Sequence, residues 1–170
     1  PRVGEVEGKS YFFKTKEEFE AMVDRGEFLE HAMIYDNYYG TPKKAIFDEL
    51  DMGRDVILEI EMQGAMQIKE VYPQAVFIFV LPPSLQELRN RIVGRGTETE
   101  EQIEKRFNSA YDEIKLLGDY DYFIFNNIVE KSSEEILNIL EVEKNKVSRY
   151  KKDILDMFEK EIKNVKTIIK

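Results

Sequence analysis

Cysteine is missing from all 170 residues of the chain, which excludes disulfides and thiolate metal sites. Histidine occurs once, at His31, so a histidine-rich metal site is excluded too. No apolar run approaches the roughly 20 residues that a membrane span needs. No secretory signal is visible either, and a cytoplasmic protein is the expectation. Positive charge is in deficit: 25 Lys and Arg face 34 Asp and Glu, for a formal net charge of −9. A general nucleic-acid surface needs a basic footprint and is not expected here.

What the chain does have is enough apolar material to fold. Hydrophobic residues make up 42% and aromatics 12%, which fits a globular domain with a core rather than a disordered chain. Its few basic residues are also unevenly spread. Arg89, Arg91, Arg95, Lys105 and Arg106 fall in one short stretch of an acidic chain. Such a cluster suits a small polyanion such as a nucleotide phosphate. A solvated helix face would give the same cluster.

Along the chain, residues 1–14 read as an irregular segment leading into a short strand. Thr15 and Glu18 have capping-box spacing and open a helix that Gly26 can end. Residues 28–40 read as strands turning at Asp36-Asn37. Thr41 and Pro42 look like the N-cap and first-turn residues of a helix stopping near Gly53. From residue 55 to 145 strand and helix signals alternate: apolar runs at 56–60, 76–81 and 122–125, with helices between them. The run 76–81 has the continuous apolar character of a strand buried on both faces. Ser84 with Glu87, Thr99 with Gln102, and Ser132 with Glu135 mark three helix starts. That alternation predicts a parallel sheet with crossover helices, preceded by a mixed insert. In the last 25 residues Leu155, Phe158, Ile162, Val165 and Ile169 repeat at steps of three and four. This is a seam for another helix or for the chain's own domain, with the latter favoured.

Four constellations carry chemistry. In the first, Arg2 and Tyr11 can donate to phosphate oxygens, although Tyr11 also suits a half-buried aromatic position. In the second, Glu30 stands with the run Asn37-Tyr38-Tyr39-Gly40-Thr41-Pro42. A carboxylate is the natural bidentate acceptor for the adjacent N1–H and N2 amino group of guanine, a hydroxyl such as that of Thr41 can donate to O6, and Tyr39 offers a phosphate donor. Gly40 lets a backbone come close to a ligand. In the third, Glu59 and Glu61 sit at the end of an expected parallel strand, where ligands of open α/β sheets bind. Either such an acid is held in a structural ion pair with a basic partner, or one of the two holds the nucleotide while the other meets Mg²⁺ through water. In the fourth, two glycines flank Arg95 between helices that carry Arg91 and Arg106. A mobile lid needs such hinges and fixed charges, and arginines brought in by closure stabilise a phosphoryl group in transit.

Taken together, residues 1–13 (PRVGEVEGKSYFF), 27–32 (EFLEHA), 37–42 (NYYGTP), 58–65 (LEIEMQGA), 79–84 (FVLPPS) and 94–106 (GRGTETEEQIEKR) closely resemble the guanylate kinases. The resemblance runs from residue 1 to about 145 and rests on six segments in the right order. It implies an α/β fold: a parallel-sheet P-loop kinase core, a mixed α+β GMP-binding insert and a helical lid. The implied division is a GMP-binding part at 1–53, core at 54–90, lid at 91–108, core again at 109–146 and a helical extension at 147–170. The implied reaction moves the γ-phosphoryl group of ATP to GMP, giving ADP and GDP, with Mg²⁺ accompanying ATP. By motif position, Arg2, Tyr11 and Tyr39 would hold the GMP phosphate, with Gly40 beside them. Glu30 and Thr41 would read guanine, and Glu61 would support that side. Arg91, Arg95 and Arg106 would act on the transferring group, with Arg91, Arg95 and Asn126 on the ATP side. No direct metal ligand is assigned, and Glu59 reaches Mg²⁺ only through water.

The sequence also departs from the family pattern. No segment matches G-x-x-x-x-G-K-[ST], so the phosphate cradle, its lysine and the first core strand are expected to be missing from the chain as written. Pro1 stands where a longer protein would continue, and one further family arginine is expected just before it. As written, the chain is expected to be inactive or nearly so. Glu61 is often Asp in the family, and Asn127 stands where an acid is common. The alternative is a non-catalytic guanylate-kinase-like module that binds protein partners, to which Arg91, Arg95 and Arg106 together would be of no use. A homodimer through the C-terminal helix is left open.

Overall fold

The computed structural model of the chain describes residues 4–34, 37–94 and 99–168. It consists of two compact units, Pro1–Ala75 and Val76–Lys170. The division falls later than the 53/54 boundary read from the sequence, because the helix after residue 61 packs on the first unit.

In the first unit, helix α1 (Lys16–Asp24) begins with both halves of the expected capping box between Thr15 and Glu18. Gly26, at φ +64°, turns the chain out of that helix in a conformation that costs glycine little. Strands β1 (Phe28–Ile34) and β2 (Asn37–Pro42) then pair antiparallel. Their register pairs Glu30 with Thr41 and Ala32 with Tyr39, and it shifts between Phe28 and Glu30. That irregularity re-aims the strand. The ring of Phe28 lies against Gly40, while the next residue of β2, Thr41, meets Glu30. Phe28 and Glu30 therefore face opposite sides, although an unbroken strand would put residues two apart on one side. On the Phe28 side, Phe19 of α1 stacks between Phe28, at 4.5 Å between ring centroids, and Tyr38, at 5.2 Å.

Helix α2 (Lys43–Asp51) follows directly. Its N-cap is Pro42 and has no side-chain hydrogen bond; Thr41 stays in β2 because its hydroxyl is taken by Glu30. Residues 54–61 form neither helix nor strand. The apolar run 56–60 was expected as a strand, but a strand needs a neighbour's backbone groups, and among the described residues the only parallel pair is β3 with β4 of the second unit. Helix α3 (Met62–Val71) ends just before Pro73 and packs on β1, burying Gly64, Ala65 and Ile68. Among the described residues before α1 no regular strand forms: Glu7 and Tyr11 share one isolated bridge, and the Glu7 carboxylate takes the Phe13 N–H at 2.7 Å. A side-chain acceptor there replaces a ladder partner.

In the second unit, β3 (Ile78–Leu81) pairs in parallel with β4 (Tyr122–Phe125). Between them lie α4 (Leu85–Gly94), α5 (Glu100–Ile114) and a 3-10 turn (Lys115–Asp119). Ser84 caps α4 by accepting the Glu87 N–H at 3.1 Å, and Thr99 with Gln102 closes a full capping box on α5. Phe77, Phe79, Leu81, Ile92 and Ile124 form the core of this unit. Val80, Phe123 and Phe125 are each about half exposed. The pair is thus buried on one face, where α6 packs on β4, and not on both as the continuous apolar run suggested.

Helix α6 (Val129–Glu143) starts three residues before the expected Ser132. Ser132 lies inside the helix, its hydroxyl 3.1 Å and 3.0 Å from the carbonyls of Phe125 and Ile128. Its hydroxyl bonds backward and does not cap. Helix α7 (Val147–Ile168) follows after a short turn. Glu143, buried at the end of α6, ties its first turn down. Its carboxylate accepts from the Tyr122 hydroxyl at 2.7 Å, Lys146 Nζ at 3.0 Å and Arg149 Nη2 at 2.7 Å. Arg149 first, then Tyr122, hold the acid down to a pKa of about 2 despite burial. The same contact raises the pKa of the Tyr122 phenol. Farther along α7, Leu155, Phe158 and Ile162 are each about half exposed, so this part of the seam is not covered by the described residues of the chain; the side chains of Val165 and Ile169 lie outside the description.

Candidate active site

The centre of the first unit is a carboxylate held under the β1–β2 pair. Glu30 is 5% exposed, an expensive place for an acid unless it has partners. One partner is Thr41, directly opposite in register, whose Oγ1 donates to Glu30 Oε1 at 2.6 Å. The other oxygen, Oε2, lies over the first turn of α3. A Cβ built on Gly64 would collide with Oε2 and sit 2.9 Å from Cδ of the same acid. Next to Glu30, the backbone of His31 is held from α3 as well. Gln67 Oε1 accepts the His31 N–H at 3.1 Å, and Gln67 Nε2 donates to the His31 carbonyl at 2.8 Å.

Tyr39 stands two residues from Thr41 on the same strand, hence on the same face. Its ring meets that of Tyr11 edge-on, with centroids 5.8 Å apart. Two phenols from separate segments thus come together beside the buried acid. Gly40 has a packing role that the sequence reading did not give it: a Cβ there would come within 2.8 Å of the Phe28 ring. Glu61 is the N-cap of α3 and, like Glu59, is exposed. Neither acid is buried, so neither needs the ion-pair partner that a buried strand would have required. Arg2 lies outside the described residues.

The second unit carries the other sequence-selected residues. Arg91 projects from α4 and donates from Nε to Glu87 at 2.8 Å, one turn back. Arg106 lies mid-helix in α5, where its carbonyl accepts the Ser109 hydroxyl at 3.0 Å. Asn126 follows β4, and its N–H donates to the Leu81 carbonyl at 2.8 Å, extending the β3–β4 pairing by one bond. Arg95 lies outside the described residues.

Gly64 and Gln67 received no individual role from the sequence. Gly64 gave a weak signal, since a glycine inside a helical pattern asks for a packing reason. Gln67 gave none.

A buried carboxylate with a hydroxyl donor on one oxygen, paired phenols beside it and an arginine-bearing helical unit define a nucleotide-handling α/β protein. The comparisons narrow the class. The family model for guanylate kinase matches residues 1–143. The guanylate kinase of Clostridioides difficile (strain 630) is 66% identical over 162 residues, 95% of this chain and 79% of that one. That of Clostridium tetani (strain Massachusetts / E88) is 53% identical over 155 residues, 91% of this chain and 74% of the other. The crystal structure of guanylate kinase from Anaplasma phagocytophilum superposes with a TM-score of 0.74 at 38% identity, covering 86% of this chain and 71% of that one. The chain belongs to the guanylate kinase family.

Proposed function

We propose that this chain serves the reaction ATP + GMP → ADP + GDP, with the first unit holding GMP and the second carrying the groups that act on ATP. The observation that carries this reading is the buried Glu30–Thr41 pair. A carboxylate accepts from two adjacent N–H groups, which guanine offers on its N1/N2 edge and adenine does not. Burial makes the discrimination sharp, because a wrong base leaves a desolvated acid without a partner. Tyr11, Tyr39 and Arg2 grip the phosphate of GMP, with Gly40 in the strand between the two recognition groups, and Glu61 supports the guanine side.

In the transfer, the bond between the γ-phosphorus and the bridging oxygen of ADP breaks as a phosphate oxygen of GMP bonds to that phosphorus. Arg91, Arg95 and Arg106 supply fixed positive charge to the moving group, and Asn126 lies on the ATP side. Mg²⁺ accompanying ATP would supply further neutralisation of the phosphate charge. Among the described residues no three Asp, Glu or His side chains converge. Glu59, which is exposed, is the residue proposed to meet that cation, through a water.

No helix among the described residues is long and apolar enough to cross a membrane. We read the protein as cytoplasmic, acting on small-molecule nucleotides and not on nucleic acid or membrane, and as a homodimer through the exposed seam of α7. Calorimetric titration with GMP and AMP tests the central reading. GMP is expected to bind more tightly, and E30Q is expected to remove most of the difference. Equal binding of the two nucleotides to the unaltered protein would overturn it.

A further inference from the structure

Gly64 has no conformational reason to be glycine. It lies in the first turn of α3 with an ordinary helical backbone, where alanine is the better helix former. The room beside it gives the reason: a methyl group at that position would occupy the space of the Glu30 carboxylate. Three residues on, and so on the same helix face, Gln67 returns both hydrogen bonds of the His31 peptide group. One residue of α3 leaves space for the acid, and the next on that face fixes the strand from which the acid projects.

We propose that Gly64 and Gln67 are positioning residues for guanine recognition, acting through Glu30. The proposal rests on the reading that Glu30 binds guanine. The atoms nearest a new Cβ at residue 64 belong to the end of a flexible side chain, not to backbone. Gly64→Ala therefore displaces the carboxylate while leaving the helix intact. A displaced carboxylate loses the Thr41 proton and no longer presents two acceptor sites to one base edge. Gln67→Met keeps the volume of the side chain but removes both bonds to His31.

The test is calorimetric titration of the protein and its E30Q, E30D, G64A, G64A/E30D and Q67M variants with GMP and AMP, with thermal unfolding of each. G64A is expected to bind GMP at least tenfold more weakly, with AMP affinity within twofold and a single cooperative unfolding transition whose melting temperature falls only by the loss of the Thr41 bond to the buried acid. Aspartate is one methylene shorter, so the clash disappears in the E30D background. There, adding G64A is expected to cost nothing further, a non-additivity that general damage to the helix would not produce. Q67M is expected to weaken GMP about fivefold and leave AMP unchanged. GMP affinity within twofold of the parent in G64A, or a full tenfold loss from G64A in the E30D background, overturns the proposal while leaving the reading of Glu30 intact. An E30Q protein that still prefers GMP as strongly as the parent overturns both.

Discussion

Thr41 spends its one hydroxyl proton on Glu30, 2.6 Å away across the β1–β2 pair. The same hydroxyl cannot donate to Glu30 and to guanine O6 at once. Thr41 therefore acts first as the partner that keeps a buried acid satisfied; under the proposed function its proton would move to the base only when the base's own N–H groups take over that acid. Thr41→Val keeps the shape and removes the proton. The bond the complex then lacks is the one to the neutral O6, so GMP affinity is expected to fall about threefold, with AMP binding unchanged. Titration of both nucleotides checks it.

Under the proposed function the phenols hold a different part of the ligand, the phosphate. Tyr39→Phe keeps the edge-on contact with the Tyr11 ring and removes only the hydroxyl. If that hydroxyl donates to the GMP phosphate, the variant is expected to weaken GMP and AMP by a similar factor, about tenfold, because both carry the phosphate. A loss confined to GMP would instead place Tyr39 on the base.

Glu143 sets an acid limit on the second unit. Its pKa in the folded protein is about 2, against an ordinary 4.5. A depressed carboxyl pKa contributes stability that is fully present above the unfolded value and is lost as pH falls through the folded one. The contribution should therefore hold above about pH 4.5 and vanish towards pH 2. Glu143→Gln is expected to cost about 2 kcal/mol at neutral pH and progressively less below pH 4.5. Urea unfolding of both proteins across that range measures it.

The exposed seam of α7 predicts self-association. Phe158→Glu puts a charge in the middle of an apolar stripe that is already in water, so folding should change little. Sedimentation is expected to show the parent as a dimer and the variant as a monomer. Two monomers would remove the homodimer from the proposed function.

The parts legible in the sequence were those decided by neighbouring residues. The Thr15–Glu18 and Thr99–Gln102 boxes close as their spacing predicts, since each satisfies its own backbone groups within one turn. Glu30, Thr41, Tyr11 and Tyr39 were found by type and motif, and the fold brings them together in one unit. What failed depended on distant partners. The run 56–60 has strand composition, but composition cannot supply the neighbour that makes a strand. Ser132 has the spacing of a cap, but its hydroxyl bonds backward inside a helix that begins earlier without one. Gly64 and Gln67 matter for what they face on β1, more than 30 positions away, and no local pattern encodes that.

The 22 residues of α7 give it a length of about 33 Å. The Glu143 contacts grip that rod by Lys146 and Arg149 at its near end. Leverage follows: a tilt of about 10° at the grip would sweep the far end through about 6 Å, taking the helix length as radius. One carboxylate thus ties the near end of a long arm to the unit it projects from.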